Sequence, residues 1–146
     1  MDYYDGMTTA AFLDVQAAQR KGKKRQNSHK VVLDNIEFDS QIEAARWQEL
    51  CLLQRAGDIQ QLRPHPEFTI QEKHRDAFGK PFRERAYTAD FIYWSVEHSR
   101  WIVEEVKGRR RTKAGNFVPL VSRDFYVRWD RARDLYPAYE FVIVMR

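Results

Sequence analysis

The sequence predicts an α/β fold in which helices pack on a β-sheet. Three observations support this class: a helix with clear start and stop signals, two β-rich segments joined by a short polar turn, and a late helix followed by an apolar strand. A chain of 146 residues, 43% of them apolar, can bury one core. We therefore expect a single folded domain at residues 30–146, preceded by an appendage at 1–29.

The appendage at residues 1–29 is predicted to be a short helix and a partly flexible basic arm. Thr8 or Thr9 can cap the helix, which would run to Gln19. No apolar run reaches the ~18 residues that a bilayer span needs, and the N-terminus lacks the pattern of a signal peptide. A cytoplasmic location without a membrane partner is expected, with Cys51 as a buried, inert thiol.

The first elements of the domain have strong local signals. Apolar residues flank Asp34-Asn35, which predicts a short hairpin or a bent strand over residues 30–38. Ser40 followed by Glu43 is a capping-box pattern, and Gly57 is a typical helix C-cap. Residues 40–57 are therefore predicted to form a helix that packs on a sheet.

The remaining elements follow from turn residues and periodicity. Ile59–Leu62 and Phe68–Gln71 are predicted strands, and the polar stretch Lys73–Arg85 is a predicted loop that could carry a specificity feature. Pro119–Leu135 is a predicted helix, followed by a strand over Tyr139–Met145.

Between these elements, Tyr87–Trp94 and Arg100–Lys107 are predicted strands of one hairpin. If the turn centres between Glu97 and His98, paired positions sum to 195, and Asp90 lies opposite Glu105. Lys107 then shares the face of the two acids.

Two opposed carboxylates at ~5 Å repel each other unless a cation lies between them. Mg²⁺ or Mn²⁺ can be bound by two carboxylates and one backbone carbonyl. We expect that carbonyl to be the one of Val106. The alternative is a solvent-facing hairpin whose polar residues have no chemistry, but Trp101 and Val103 on the same face indicate that this face is covered. The four histidines lack ligand spacing, so zinc is not expected.

Positive charge is concentrated in two segments. They hold eleven of the 25 bases: Arg20, Lys21, Lys23, Lys24, Arg25 and Lys30 in the first, and Lys107, Arg109, Arg110, Arg111 and Lys113 in the second. The other fourteen bases face 21 acids, so the rest of the chain is net negative. Confined basic segments suit a polyanionic partner, although such segments can also serve solubility alone. Arg123 and Arg128 on the late helix are candidates for further phosphate contacts, but because Asp124 and Asp130 lie beside them we favour their interpretation as surface ion pairs.

Three linked motifs, FDSQIEAARWQELCLLQRAGDI, YTADF and WIVEEVKG, resemble a phage and prophage family of small PD-(D/E)XK nucleases from about Lys30 onward. The resemblance implies a restriction-endonuclease-like αβββαβ core with a mixed central sheet flanked by helices. It also implies that Asp90 and Glu105 are metal ligands, Lys107 is the catalytic lysine and Glu43 is an acid from the first helix. For Glu43, reciprocal capping with Ser40 is an equal alternative.

These expectations combine into a Mg²⁺- or Mn²⁺-dependent endonuclease that hydrolyses DNA, with branched or junction DNA among its candidate substrates. The predicted nucleic-acid contacts are Lys23, Lys24, Arg25, Arg109, Arg110, Arg111 and Lys113. Cutting both strands of a junction would require a homodimer, and a phage-encoded enzyme would act in the cytoplasm of its bacterial host. The alternatives are a non-cutting nucleic-acid-binding module on the same fold and, more weakly, a factor that binds a protein partner.

Overall fold

The computed structural model describes residues 29–146, so the predicted N-terminal helix and the basic residues Lys23, Lys24 and Arg25 lie outside the described part. In chain order its elements are β1 (Val31–Leu33), β2 (Ile36–Phe38), α1 (Gln41–Ala56), β3 (Ile59–Pro64), β4 (Glu67–Gln71), β5 (His74–Arg75), β6 (Pro81–Phe82), β7 (Arg85–Thr88), β8 (Phe91–Ser95), β9 (Arg100–Lys107), β10 (Arg109–Arg111), β11 (Phe117–Pro119), α2 (Arg123–Leu135) and β12 (Tyr139–Met145). The fold is mixed α/β, as predicted.

The central sheet has four strands in the order β12-β9-β8-β3. β12 runs parallel to β9, whereas the β9–β8 and β8–β3 pairs are antiparallel. The sheet is therefore mixed, and its two inner strands carry the segments in which the sequence places the chemistry. No helix in residues 29–146 has the length and apolar character required to cross a bilayer.

The segment before the sheet forms the predicted hairpin and helix. Asp34 and Asn35 adopt φ of 53° and 62°, the left-handed conformation that a two-residue hairpin turn requires, between the paired strands β1 and β2. Ser40 Oγ accepts the backbone N–H of Glu43 at 3.3 Å and thereby caps α1. Gly57, at φ 88°, ends the helix and donates its N–H to the carbonyl of Gln54.

Alternating side chains of β8 and β9 divide the core into two halves. On one face Phe91, Tyr93, Ile102 and Val106 pack with α1. On the other face Ile92 and Val103 pack with α2 and with the β4–β7 pair, in a cluster that also contains Phe68, Tyr87, Ala89, Phe125, Trp129 and Ala132. Burying both faces fixes which residues of β9 point to each helix. Cys51, predicted to be buried, is only half-buried beside the α1 cluster, and this partial burial raises the pKa of its thiol.

Three predicted elements are corrected by the structure. The late helix begins at Arg123 rather than Pro119, because Ser122 caps it and Phe117–Pro119 pairs with Arg109–Arg111 as β11 and β10. The stretch Tyr87–Trp94 is two strands, since β7 pairs with β4 and β8 pairs with β3 and β9. The predicted loop Lys73–Arg85 contains the β5–β6 hairpin.

Candidate active site

The β8–β9 hairpin has the predicted register. Phe91 pairs with Glu104, Ile92 with Val103, and Trp94 with Trp101. Asp90 precedes β8 by one residue, and its N–H donates to the carbonyl of Glu104 at 3.1 Å. This bond brings Asp90 to the end of β9 that carries Glu105 and Lys107.

Asp90 lies where the chain changes strand partners. Ala89 N–H donates to the carbonyl of Pro66 at 3.0 Å, on the β4–β7 side, whereas the Asp90 carboxylate turns toward β9. Its Oδ2 accepts the backbone N–H of Val106 at 2.6 Å. The carboxylate thus takes the place that a strand carbonyl would otherwise occupy, which fixes its position.

The backbone carbonyl of Val106 is directed to the same side as Asp90. The carbonyl of the next residue, Lys107, accepts the N–H of Arg146 at 3.0 Å on the β12 side. Because successive residues of a strand direct their backbone groups to opposite neighbours, the Val106 groups face the β8 side. The predicted third oxygen donor is therefore oriented toward the acidic residues.

Glu105 is buried, with 5% of its surface exposed. Its carboxylate accepts a hydrogen bond from the hydroxyl of Tyr87 and forms an ion pair with Lys107, with 2.5 Å between Oε1 and Nζ. The ammonium of Lys107 also lies 5.1 Å from the ring centroid of Phe125, within the range of a cation–π contact. Two strands and one helix thus hold the Glu105–Lys107 pair in place.

Glu43 approaches this group from the first turn of α1. Its carboxylate accepts from the backbone N–H of Asp39 at 3.1 Å and from Ser40 Oγ at 2.9 Å, so the capping role is present. Burial raises the pKa of Glu43, and the charge of Lys107 opposes that rise. The carboxylate lies close enough to Lys107 and Asp90 to interact electrostatically with both.

Negative charge exceeds positive charge in this group, where three acids surround one lysine. Burial, followed by the charges of Glu105 and Glu43, raises the pKa of Asp90 to about 8, against the hydrogen bond from Val106 N–H and the charge of Lys107. Burial, followed by the charge of Glu105, also raises the pKa of Tyr87. Without a further cation the group holds a proton that an isolated aspartate would release.

The donors fit a hard divalent cation. Asp90 and Glu105 supply carboxylate oxygens, the Val106 carbonyl is directed to their side, and their mutual repulsion favours an added positive charge. Within residues 29–146, no three His, Cys, Asp or Glu side chains form a group able to hold a metal ion. The ligand set would thus be two acids, one carbonyl and water, which is typical of Mg²⁺.

Glu104, adjacent to Glu105, belongs to the opposite face, as strand alternation predicts. It is 1% exposed and accepts from Arg46 at 2.9 and 2.6 Å and from the Tyr93 hydroxyl at 2.6 Å. The largest contribution to the raised pKa of Arg46 is its hydrogen bond to Glu104. These contacts join α1 to the sheet, so Glu104 has a structural role.

The sequence motifs do not point to two residues that contact the acids of β9, Tyr87 and Arg46. Tyr87 is three residues before Asp90, so strict alternation would put the two side chains on opposite faces of one strand. Because the strand breaks at Ala89, both side chains instead lie close to Glu105. Arg46 lies on the first helix and carries no motif of its own. The sequence feature that could have indicated Arg46 is Glu104, because a carboxylate buried in the sheet requires a positively charged partner.

The basic residues that follow Gly108 are exposed. Arg109–Arg111 form β10, and Lys113 lies in the turn that leads to β11. Arg109 stacks over Phe117, with 4.3 Å from its guanidinium carbon to the ring centroid. The interpretation of Arg123 and Arg128 as ion pairs is wrong: within residues 29–146 Asp130 pairs with Arg133, and Arg128 donates only to the Asp124 carbonyl at 3.5 Å.

Comparison with known proteins gives one family. Residues 23–128 match a family model described as "Protein of unknown function (DUF1064)", which covers more than half of the chain. Searches of curated proteins and of solved structures return no match. The matched segment includes Glu43, Asp90, Glu105 and Lys107, and it ends within α2.

Proposed function

The chain belongs to the DUF1064 family, and we propose that it is a Mg²⁺- or Mn²⁺-dependent endonuclease that hydrolyses DNA phosphodiester bonds. The single observation that carries this proposal is the convergence of Asp90, Glu105 and Lys107 at the end of β9, with Glu43 beside them. The proposed type is a small phage-related PD-(D/E)XK nuclease, and the chain order α1, β3, β8, β9, α2, β12 supports the αβββαβ core of that type.

The chain's own residues divide the work. Asp90, Glu105 and the Val106 carbonyl would hold the cation, which when bound supplies positive charge that favours deprotonation of water and stabilises charge on a phosphate. Tyr87 orients Glu105 through its hydrogen bond. Lys107 presents an ammonium that can position the attacking water and neutralise the phosphate.

The proposed DNA contacts outside this centre are the exposed bases on and beside β10, Arg109, Arg110, Arg111 and Lys113, together with the N-terminal Lys23, Lys24 and Arg25. β10 begins two residues after Lys107, so a strand bound at the acids would continue along these guanidinium groups. Cutting a junction would need two such sites and hence a homodimer.

The test is cleavage of labelled linear, branched and single-stranded DNA in Mg²⁺, Mn²⁺ or EDTA. We expect metal-dependent cutting by the wild type and a loss of at least about 100-fold in Asp90→Ala and Lys107→Ala. Arg133→Ala is the control for the loss of one exposed positive charge, because Arg133 is paired with Asp130 in the last turn of α2. Cutting that persists in EDTA, or that is equal in all variants, would contradict the proposal.

A second candidate is a DNA-binding module on the same fold that does not cut. Two observations favour it. Within residues 29–146 every buried side-chain nitrogen and oxygen has a hydrogen-bond partner, and Lys107 already forms an ion pair with Glu105. DNA binding without metal-dependent cleavage, unchanged in Lys107→Ala, would select this candidate.

A further inference from the structure

The β5–β6 hairpin holds an aromatic side chain out in solvent. Phe78, at its tip, is 97% exposed. The turn is held by Asp76, whose Oδ1 accepts the N–H groups of Phe78 and Lys80 at 2.9 Å each, and whose backbone pairs with Lys80 at 3.1 Å. Arg75 adds a bond of 2.7 Å to the carbonyl of Gly79. These bonds fix the backbone of the turn, and the ring of Phe78 extends from it into solvent.

Below its tip, the hairpin carries several basic residues and a pair of stacked rings. Residues 73–85 contain five bases and two acids, and one of the acids, Asp76, is engaged in the turn. His74 stacks on Phe82, with centroids 4.9 Å apart and planes 4° apart, while Lys80 Nζ lies 5.6 Å from the same ring. Among the ion pairs of residues 29–146, none involves the five bases Lys73, Arg75, Lys80, Arg83 and Arg85.

A groove of about 460 Å³ lies at the base of the hairpin, where Gln71 of β4 pairs with Arg85 of β7. Arg85, Arg128 and Arg131 line it, with Ile70 and Val127 as its apolar wall. Arg85 is two residues from Tyr87, which bonds Glu105, and Arg128 is close enough to act on the Tyr87 hydroxyl electrostatically. The three arginines of the groove therefore lie between Tyr87, which bonds the acidic centre, and the base of the hairpin that carries Phe78.

We propose that this hairpin is an aromatic wedge: Phe78 stacks on an unpaired base of a DNA strand whose phosphates follow Arg85, Arg128 and Arg131. The inference rests on the proposed function and deepens it, because it names DNA with unpaired bases near the cut as the preferred substrate. Tyr87 follows Phe78 by nine positions, which limits the distance between them to about 30 Å, or about nine nucleotides. A bilayer would require a wider apolar surface than one ring among Asp76, Gly79 and Lys80.

The test is binding in EDTA by the full chain, so that cutting is not required. The probes are a fully paired duplex and a branched DNA with 2-aminopurine at an unpaired position. We expect Phe78→Ala to weaken binding to the branched DNA about tenfold and to change duplex binding by less than about twofold. Phe78→Trp should retain wild-type affinity, and both wild type and Phe78→Trp should quench 2-aminopurine.

Leu52→Ala is the matched control, because Leu52 is a large apolar residue of α1 that is 61% exposed. Equal binding by Phe78→Ala and wild type, or an equal loss on duplex and branched DNA, overturns the wedge. Phe78-dependent binding to anionic vesicles without any effect on DNA also overturns it. Phe78-dependent DNA binding in a protein that never cuts in Mg²⁺ or Mn²⁺ rejects the nuclease and leaves the wedge supported.

Discussion

The ionised carboxylate of Asp90 destabilises the folded chain, because it is buried beside other acids. An exposed aspartate titrates near pH 3.9, whereas burial and the neighbouring acids raise the pKa of Asp90 to about 8. Between these values the folded chain holds a proton that the unfolded chain has released. Stability therefore falls as pH rises from about 4 to about 8, and the loss is complete above that window. Such a cost is typical of residues kept for chemistry.

Replacing Asp90 by Asn should remove this cost. In EDTA at pH 7.5 we expect Asp90→Asn to unfold several degrees above wild type, since ~1 kcal/mol corresponds to about 4 °C for a domain of this size. The advantage should shrink toward pH 5. The measurement is the midpoint of thermal unfolding of both proteins between pH 5 and 7.5. Asp134→Asn is the control, because Asp134 is exposed. An advantage that is constant with pH would contradict the titration argument.

The first turn of α1 joins two functions in one element. Ser40 and Glu43 satisfy backbone donors at the helix start, and the same Glu43 carboxylate raises the pKa of Asp90 through its charge. A Gln side chain can keep the capping hydrogen bonds but lacks the charge. The two roles of Glu43 can therefore be separated by substitution.

Ser40→Ala should lower stability by ~1 kcal/mol through loss of the cap and leave the titration of Asp90 unchanged. Glu43→Gln should lower the pKa of Asp90 with a smaller change in stability. The measurement is proton release on Mn²⁺ binding, followed by calorimetry in buffers of different ionisation enthalpy between pH 6 and 9. We expect the release to shift to lower pH in Glu43→Gln. An unshifted profile would leave Glu43 with the capping role alone.

Elements with local signals were predictable, and elements set by distant partners were not. Ser40, Glu43 and Gly57 define α1 from within their own segment, and the turn near Glu97 sets the β8–β9 register. The break at Ala89 arises because β7 pairs with β4, a contact that alternation within one segment does not encode. For the same reason Tyr87 escaped prediction while Asp90, Glu105 and Lys107 could be named.

At the scale of the whole molecule, the acidic centre lies at one end of α1. Its first turn, at Glu43, lies beside the acidic centre, and its last turn carries Arg55, about 18 Å away along the helix. The exposed bases of β10 begin two residues after Lys107, at the end of β9 that carries the same centre. A polyanion would thus be drawn to the end of the sheet where the proposed chemistry lies.

This arrangement predicts a local salt dependence. Replacing Arg109, Arg110 and Arg111 together by Gln should reduce the slope of log K against log salt for duplex binding by up to about 2.7, or ~0.9 for each phosphate that the variant no longer neutralises. Arg55→Gln, at the far end of α1, should leave the slope unchanged. Affinities measured between 50 and 200 mM salt decide the matter, and equal slopes in both variants would exclude β10 from the DNA interface.

The hydrogen bond from Val106 N–H to Asp90 has a spectroscopic consequence. An amide that donates to a carboxylate at 2.6 Å should have a proton resonance that moves when that carboxylate loses its proton or binds a cation. In ¹⁵N-labelled protein the Val106 cross-peak would then follow the pH titration of Asp90 and its occupancy by Mg²⁺, without an added fluorophore or spin label. The chemical shift of this β9 amide therefore reports whether Asp90 is protonated, ionised or bound to a cation.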